Sequence, residues 1–423
     1  MKDFFSVIQP PNIGIRIGLT VLLFLYAITT FSQAFPIDVR DGRVASLQVT
    51  IDTSDGSYRP LPYYIPSKGE SLSIDFDLLD AVPLNLRYRI EHYNAYWEKS
   101  NLFPAEYLRG MSEGIFPDSK PSAATQRNYR HYRLTLDGES DPTPIISGNY
   151  EIEIFEENSS IPLLKLGFAV CDPIYSIKAN CSPITEEGAY QKNQEISAYI
   201  GGSLKTGDKM LLLVAQNGRR DNIVILSNAT QSTLNSITFE HGQAALFEAG
   251  NEFFSFEILG EHETNMGVMN FFAGKEPMVE LFPTKNNSNS SYEILDDANG
   301  RVVYRAPYGS SRSDDNADYY WVRFRYFSDP IDSDVILIGE AFEWMPIAEK
   351  TLNYNEEEGC YEKTILLKAG YVSYAYATKE ASNLSLLKTM GCHYQTKNQY
   401  SILCYCRSTG DREYKLVAAQ EII

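Results

Sequence analysis

Apolar and polar residues alternate along much of this chain with a period of two. Leu72, Ile74, Phe76 and Leu78 are separated by Ser73, Asp75 and Asp77, and Leu86, Tyr88 and Ile90 by Arg87 and Arg89. Tyr150, Ile152 and Ile154 enclose Glu151 and Glu153, while Tyr320, Val322, Phe324 and Tyr326 interleave with Trp321, Arg323 and Arg325. Successive strand side chains point to opposite faces, so this spacing buries one face and wets the other, as in antiparallel sheets. Asp55-Gly56, Asp137-Gly138, Asn217-Gly218 and Asn299-Gly300 accept positive φ cheaply and read as hairpin tips. Helical spacing is scarce, with 103–112 the best short candidate. The pattern predicts an all-β chain of several small antiparallel sandwiches in series, over 35–172, 173–310 and 311–423. Within the second, the polar run 285–291 is expected to be a mobile loop.

The first 34 residues break the alternation. Lys2 and Arg16 precede an uncharged apolar run from Ile17 to Ile28, and Ser32-Gln33-Ala34 supplies small residues before Phe35. This is the layout of a cleaved export signal over 1–34, its strongly apolar part shorter than the roughly 18–20 residues of a membrane span. No later segment is expected to cross a bilayer as a helix.

Composition narrows the chemistry. The 423 residues include 29 Tyr and 21 Phe, enough for several cores, and carry a formal charge of −18. Loss of 1–34, with two basic side chains and one acidic, leaves the chain one unit more acidic. Such a chain offers no basic groove for nucleic acid. Cys171, Cys181, Cys360, Cys392, Cys404 and Cys406 lack the Cys-x-x-Cys spacing of a zinc site. Cys404 and Cys406 share one strand face, and Cys171 with Cys181, or Cys392 with Cys404, could close short loops. No Gly-x-Ser-x-Gly, His-Glu-x-x-His, phosphate loop or dinucleotide fingerprint occurs. His92 beside Glu91, and His131 between Arg130 and Tyr132, read as structural hydrogen-bonding histidines rather than bases. Asp296-Asp297-Ala-Asn299-Gly300 and Asp314-Asp315-Asn-Ala-Asp318 are oxygen-rich, but turn chemistry accounts for them as well as calcium does, and neither has full ligand spacing. Catalytic residues, metal and cofactor are therefore not expected.

The last unit permits one binding hypothesis. Gly339-Glu-Ala-Phe342-Glu-Trp344, followed by the strand 371–376, resembles the immunoglobulin-like starch-binding modules. That resemblance implies sugar stacking on Trp344, with Tyr374 and Tyr376 nearby. The alternative is a core Trp beneath a sandwich loop.

A second resemblance covers far more of the chain. Arg87-Tyr88-Arg89-Ile90-Glu91-His92-Tyr93-Asn94-Ala95-Tyr96-Trp97 looks like the N-terminal signature of the type IX secretion system plug proteins of Bacteroidota. His131-Tyr132-Arg133-Leu134-Thr135, Ser147-Gly148-Asn149-Tyr150 and Gln216-Asn217-Gly218-Arg219-Arg220-Asp221-Asn222 follow in the same order. Ala249-Gly250-Asn251-Glu252-Phe253, Ala317-Asp318-Tyr319, Leu367-Lys368-Ala369-Gly370-Tyr371 and Thr396-Lys-Asn398-Gln-Tyr400 complete the series. Tyr93, Tyr96, Phe254 and Arg412-Glu413-Tyr414 depart from the pattern. The resemblance implies tandem immunoglobulin-like sandwiches and a non-enzymatic periplasmic protein. It would sit at the inner face of the outer membrane, held there by its partner, the SprA-type translocon barrel, and close that barrel when no substrate is in transit. No nucleic acid or small-molecule substrate is implied. Glu91, His92, Asn94, Trp97, Gln216, Asn217, Gly218, Gly250, Asn251, Glu252 and Phe253 are the signature residues that could form its interface, although packing explains them as well.

Overall fold

The computed structural model describes residues 34–423, apart from 81, 118, 124, 186–187, 307–315 and 381–382. The export signal expected over 1–34 lies outside the described residues except for Ala34. The described chain is all-β, its three α-helices being single turns of four residues each. No helix among the described residues is long and apolar enough to cross a membrane.

Alternation in the first third builds two facing sheets. One orders Ile37–Val39, Pro162–Val170, Gly148–Glu156, Leu86–Tyr93 and Glu113–Ile115; the other orders Val44–Asp52, Ser71–Leu78, Arg130–Leu136 and Lys120–Pro121. Leu72, Ile74, Phe76 and Leu78 meet Ile90, Ile152 and Ile154 in the core between them. Phe76 also stacks on Tyr132 with centroids 5.3 Å apart.

The second sandwich sets Ser176–Ser182, Asn193–Gly201, Ser236–Phe239 and Gln231–Ser232 against Ile223–Leu226, Lys209–Gln216, Tyr400–Arg407 and Lys415–Ile422. The third faces Phe254–Ile258, Gly370–Glu380 and Val302–Tyr304 with Val268–Phe272, Met278–Leu281, Tyr319–Phe327, Cys360–Lys368 and Asn353–Asn355. Pairing therefore does not follow the expected boundary at 310/311. The last two strands return to complete the second sandwich, Leu213 pairing with Leu403, while strands from 254 to 304 belong to the third. Register is chosen by which face needs cover, and no local pattern names so distant a partner.

The run 210–215 is buried at every position because its sheet is covered twice. Leu212 and Val214 enter the second core, whereas Leu211, Leu213 and Ala215 press on the first sandwich. Two-sided cover is what permits an uninterrupted apolar strand.

Several local expectations are corrected. Of 103–112 only Pro104–Tyr107 is helical; Leu108–Arg109 extends to pair with Thr143–Pro144, and Gly110 turns the chain at φ 90°. The four turn dipeptides do take positive φ, but among the described strands only Asn217-Gly218 joins two that are paired neighbours. The polar run 285–291 is tied down, Asn286 Nδ2 donating to Ser328 Oγ and to the Lys388 carbonyl at 3.0 Å. All six cysteines are free thiols. Cys404 and Cys406 do share a face, pointing into the second core, while Cys171 lies between the first and second sandwiches. Cys392 is engaged by backbone, taking the Gly250 N–H at 3.2 Å and donating to the Lys192 carbonyl at 2.8 Å.

Candidate functional site

The signature residues gather in the seams between sandwiches. In the first–second seam, Asn94 Oδ1 accepts the backbone N–H groups of Tyr96 and Glu98 at 2.9 and 3.0 Å, a turn that holds Trp97 at φ 60°. Trp97 packs on Phe35 with centroids 4.9 Å apart. The ring lies over Gly167, where a Cβ would come within 2.4 Å of it. Across the seam, Tyr405 donates to Asn149 Oδ1 at 2.8 Å, and Asn149 Nδ2 donates to the Asn94 carbonyl at 3.0 Å. Tyr63 donates to Glu421 at 3.0 Å. Burial pushes the Glu421 carboxyl up to about 7 against the opposing bonds from Ser401, Tyr63 and Gln399.

His92 is not the hydrogen-bonding residue expected. It is buried edge-on against Tyr150 at 5.1 Å, with neither ring nitrogen bonded to a described group, and burial pulls its pKa down to about 4. Glu91 stands at the rim of this region, paired with Lys99 at 2.7 Å.

Between the second and third sandwiches the chain crosses twice, once at 249–253 and again at 386–400, and the two crossings are laced together. Asn251 Nδ2 donates to the Met390 carbonyl at 2.7 Å, the Gly250 carbonyl accepts the His393 N–H at 2.8 Å, and Tyr292 and the Lys397 N–H donate to Glu252. Phe253 enters a small core with Ile338, Ala375 and Met390. Gln216 Nε2 donates to the Glu248 carbonyl at 2.9 Å, and Asn217 Nδ2 donates to Asn398 Oδ1 at 2.7 Å beside the tight Gly218 turn. His92, Trp97, Gln216, Asn251, Glu252 and Phe253 are thus buried within the molecule, and all but His92, which packs inside the first sandwich, lie where one sandwich is fastened to the next.

The first–third seam is centred on Asp77. Its Oδ1 accepts from His131 Nδ1 at 2.8 Å, and its Oδ2 accepts from Tyr319 at 2.6 Å and Lys368 Nζ at 2.7 Å. Ser46 and Tyr319 share a hydrogen bond of 2.7 Å, and Lys368 lies 4.6 Å over the Tyr129 ring. Burial opposes a charge on His131, but Asp75 and Asp77 outweigh it and hold the imidazole up to about 9. The alternation of 72–78 placed Asp75 and Asp77 on a wet face; the third sandwich covers that face. The signal was present in pieces, because His131, Tyr319 and Lys368 each sit in a motif segment already noted.

The sugar-binding alternative meets a physical obstacle. Tyr374 and Tyr376 are 3% and 0% exposed inside the third core, so neither offers a ring face. Trp344 is half-buried and wedged between the first and third cores. The acidic loops cap backbone: Asp297 accepts the Phe253 and Asn299 N–H groups, with burial raising it to about 6, and Asp318 accepts those of Gln126 and Tyr319. Asp314 and Asp315 lie outside the described residues, among which no group of three His, Cys, Asp or Glu side chains is arranged to hold a metal ion.

Residues 44–172, nearly all of the first sandwich, match the family model of the type 9 secretion system plug protein 1st domain. By that match the first sandwich is a type 9 secretion system plug protein first domain. That family is a component of secretion machinery rather than an enzyme family. A crystal structure of a hypothetical protein from Parabacteroides merdae resembles this fold with a TM-score of 0.84 at 30% identity, over 92% of this chain and 99% of that one. No protein of curated function matches.

Proposed function

We propose that this protein is a periplasmic plug. It binds the SprA-type outer-membrane translocon barrel from the inner side and occludes it in the absence of substrate, without catalysis. The observation that carries the reading is the match of 44–172 to the plug's first domain. The physics is consistent with it. A wide barrel left open would leak the periplasm, and a cover must resist deformation, which the three bonded seams provide. Release on demand favours a modest, partly polar interface, and a charge of −18 suits docking on a basic rim. The cleaved signal expected over 1–34 would deliver the chain to that compartment.

The test is affinity capture of the tagged exported protein from membranes of its source cell in mild detergent, with mass spectrometry of the eluate. A very large outer-membrane barrel is expected in the eluate. Recovery of a free periplasmic monomer alone contradicts the reading.

A further inference from the structure

The outer face of the third sandwich's larger sheet carries two unlike rows. Register sets Asn270 beside Glu280, Glu280 beside Arg323 and Arg323 beside Thr364, a polar row in which Arg323 bonds Glu280 and Glu362 at 3.1 and 2.6 Å. Two positions along, register aligns Phe272 with Met278, Met278 with Trp321 and Trp321 with Leu366. The solvent-facing side of a sheet is normally polar, so an apolar line across four strands of this mixed sheet is an exception. Its inner end is half-buried, where Trp321 and Leu366 line a cleft against the first sandwich. Its outer end is bare: Phe272 is 46% exposed.

Phe272 ends the strand Val268–Phe272, which pairs through Met278–Leu281 on one side and lies at the edge of its sheet. Toward the facing sheet it makes one isolated bridge, Glu257 to Met266, beyond which no ladder continues among the described strands. Natural edges are guarded by charge or proline, yet 266–273 contains neither. The register irregularity near Val268 leaves 270–272 regularly paired.

We propose that this edge docks an extended segment of another polypeptide, added as a further strand beside 268–272. A row of backbone donors and acceptors is met by a peptide backbone, which selects polypeptide over lipid or sugar. The incoming strand would place an apolar side chain beside Phe272, extending the row, and a polar one beside Asn270. Residues 261–276 hold three glutamates and one lysine, so basic flanks on the incoming segment complement them. This inference is independent of the plug reading: a protein that captures the barrel but accepts no strand here overturns it alone.

The test uses the full exported protein and a displayed library of twelve-residue peptides. Peptides enriched on the wild type should have apolar alternation with Lys or Arg flanks. Bound, they should protect backbone amides of 268–272 from hydrogen exchange and lose at least tenfold in affinity for Phe272→Lys, whose unfolding midpoint should match wild type because the side chain is exposed. No enrichment over the Phe272→Lys bait, or protection confined to another region, overturns the proposal. Self-association through this edge that no peptide displaces overturns it too, in favour of a second copy as occupant.

Discussion

Asp77 of the first sandwich and Lys368 of the third meet at 2.7 Å with side chains only 1% and 2% exposed, so an ion pair lies in the seam between two separate cores. Such a pair adds little net stability compared with apolar packing, yet removing one partner leaves the other charged in a dry place. Lys368→Met should therefore cost about 3–5 kcal/mol, read from the urea unfolding midpoint. Adding Asp77→Asn should cost less than the sum of the two single losses, because both side chains serve one cluster in which His131 is the other cationic partner of Asp77. Equal, additive losses would show that the seam does not depend on this pair.

The same cluster sets a pH dependence. His131 is held up to about 9, above its ordinary 6.5, by Asp75 and Asp77 against burial and the nearby Lys368. A raised folded-state pKa contributes stability that is full below pH 6.5 and is lost as pH rises through 9, at most roughly 3 kcal/mol. Glu421, raised to about 7 by burial, acts in the same direction: its contribution is full below its ordinary 4.5 and is lost as pH rises through 7. Thermal unfolding between pH 7 and 9.5 should show falling stability, since His92, lowered to about 4, opposes the trend only below about pH 6.5. Glu421→Gln should raise the midpoint at pH 8 and leave it unchanged below pH 4.5, and His131→Gln should flatten the slope between pH 7 and 9.

The Trp97 turn should be the most costly single site in the first–second seam. Trp97→Ala removes a buried indole between Phe35 and Gly167, with an expected loss of about 3–5 kcal/mol. Gly167→Ala should be destabilising for the opposite reason, since its Cβ would meet the ring at 2.4 Å. Pairing Gly167→Ala with Trp97→Leu should relieve part of the clash, measured by unfolding midpoints of the three variants.

Thiol titration checks the cysteines. Burial pushes Cys171 up to about 12, and Cys404 lies in the second core, so the native protein should react slowly. In denaturant without reductant, all six should titrate. Four or fewer would mean a disulfide.

Within each sandwich much of this fold was legible from alternation: Leu72 to Leu78 and Tyr320 to Tyr326 turn inward at the residues their period marks. What alternation cannot say is which outer faces are covered again. Asp75, Asp77 and His131 look like wet positions and are dry because another sandwich lies on them. The uninterrupted apolar runs at 210–215 and 402–406 were visible signs of double cover. The return of 400–422 to the second sandwich left no local trace, since antiparallel pairing encodes faces rather than partners. The signature residues were found as segments, but their joint role as seam fasteners emerges only when distant segments meet, as Asn251 meets Met390.

The most direct test of the plug reading is electrical. Purified translocon barrel in a planar bilayer should conduct when alone, and adding the exported protein to the periplasmic side should close it reversibly. The Lys368→Met variant, if its first–third seam is loosened, should close it less completely. Conductance unchanged by saturating protein, with the barrel oriented and active, would contradict the account.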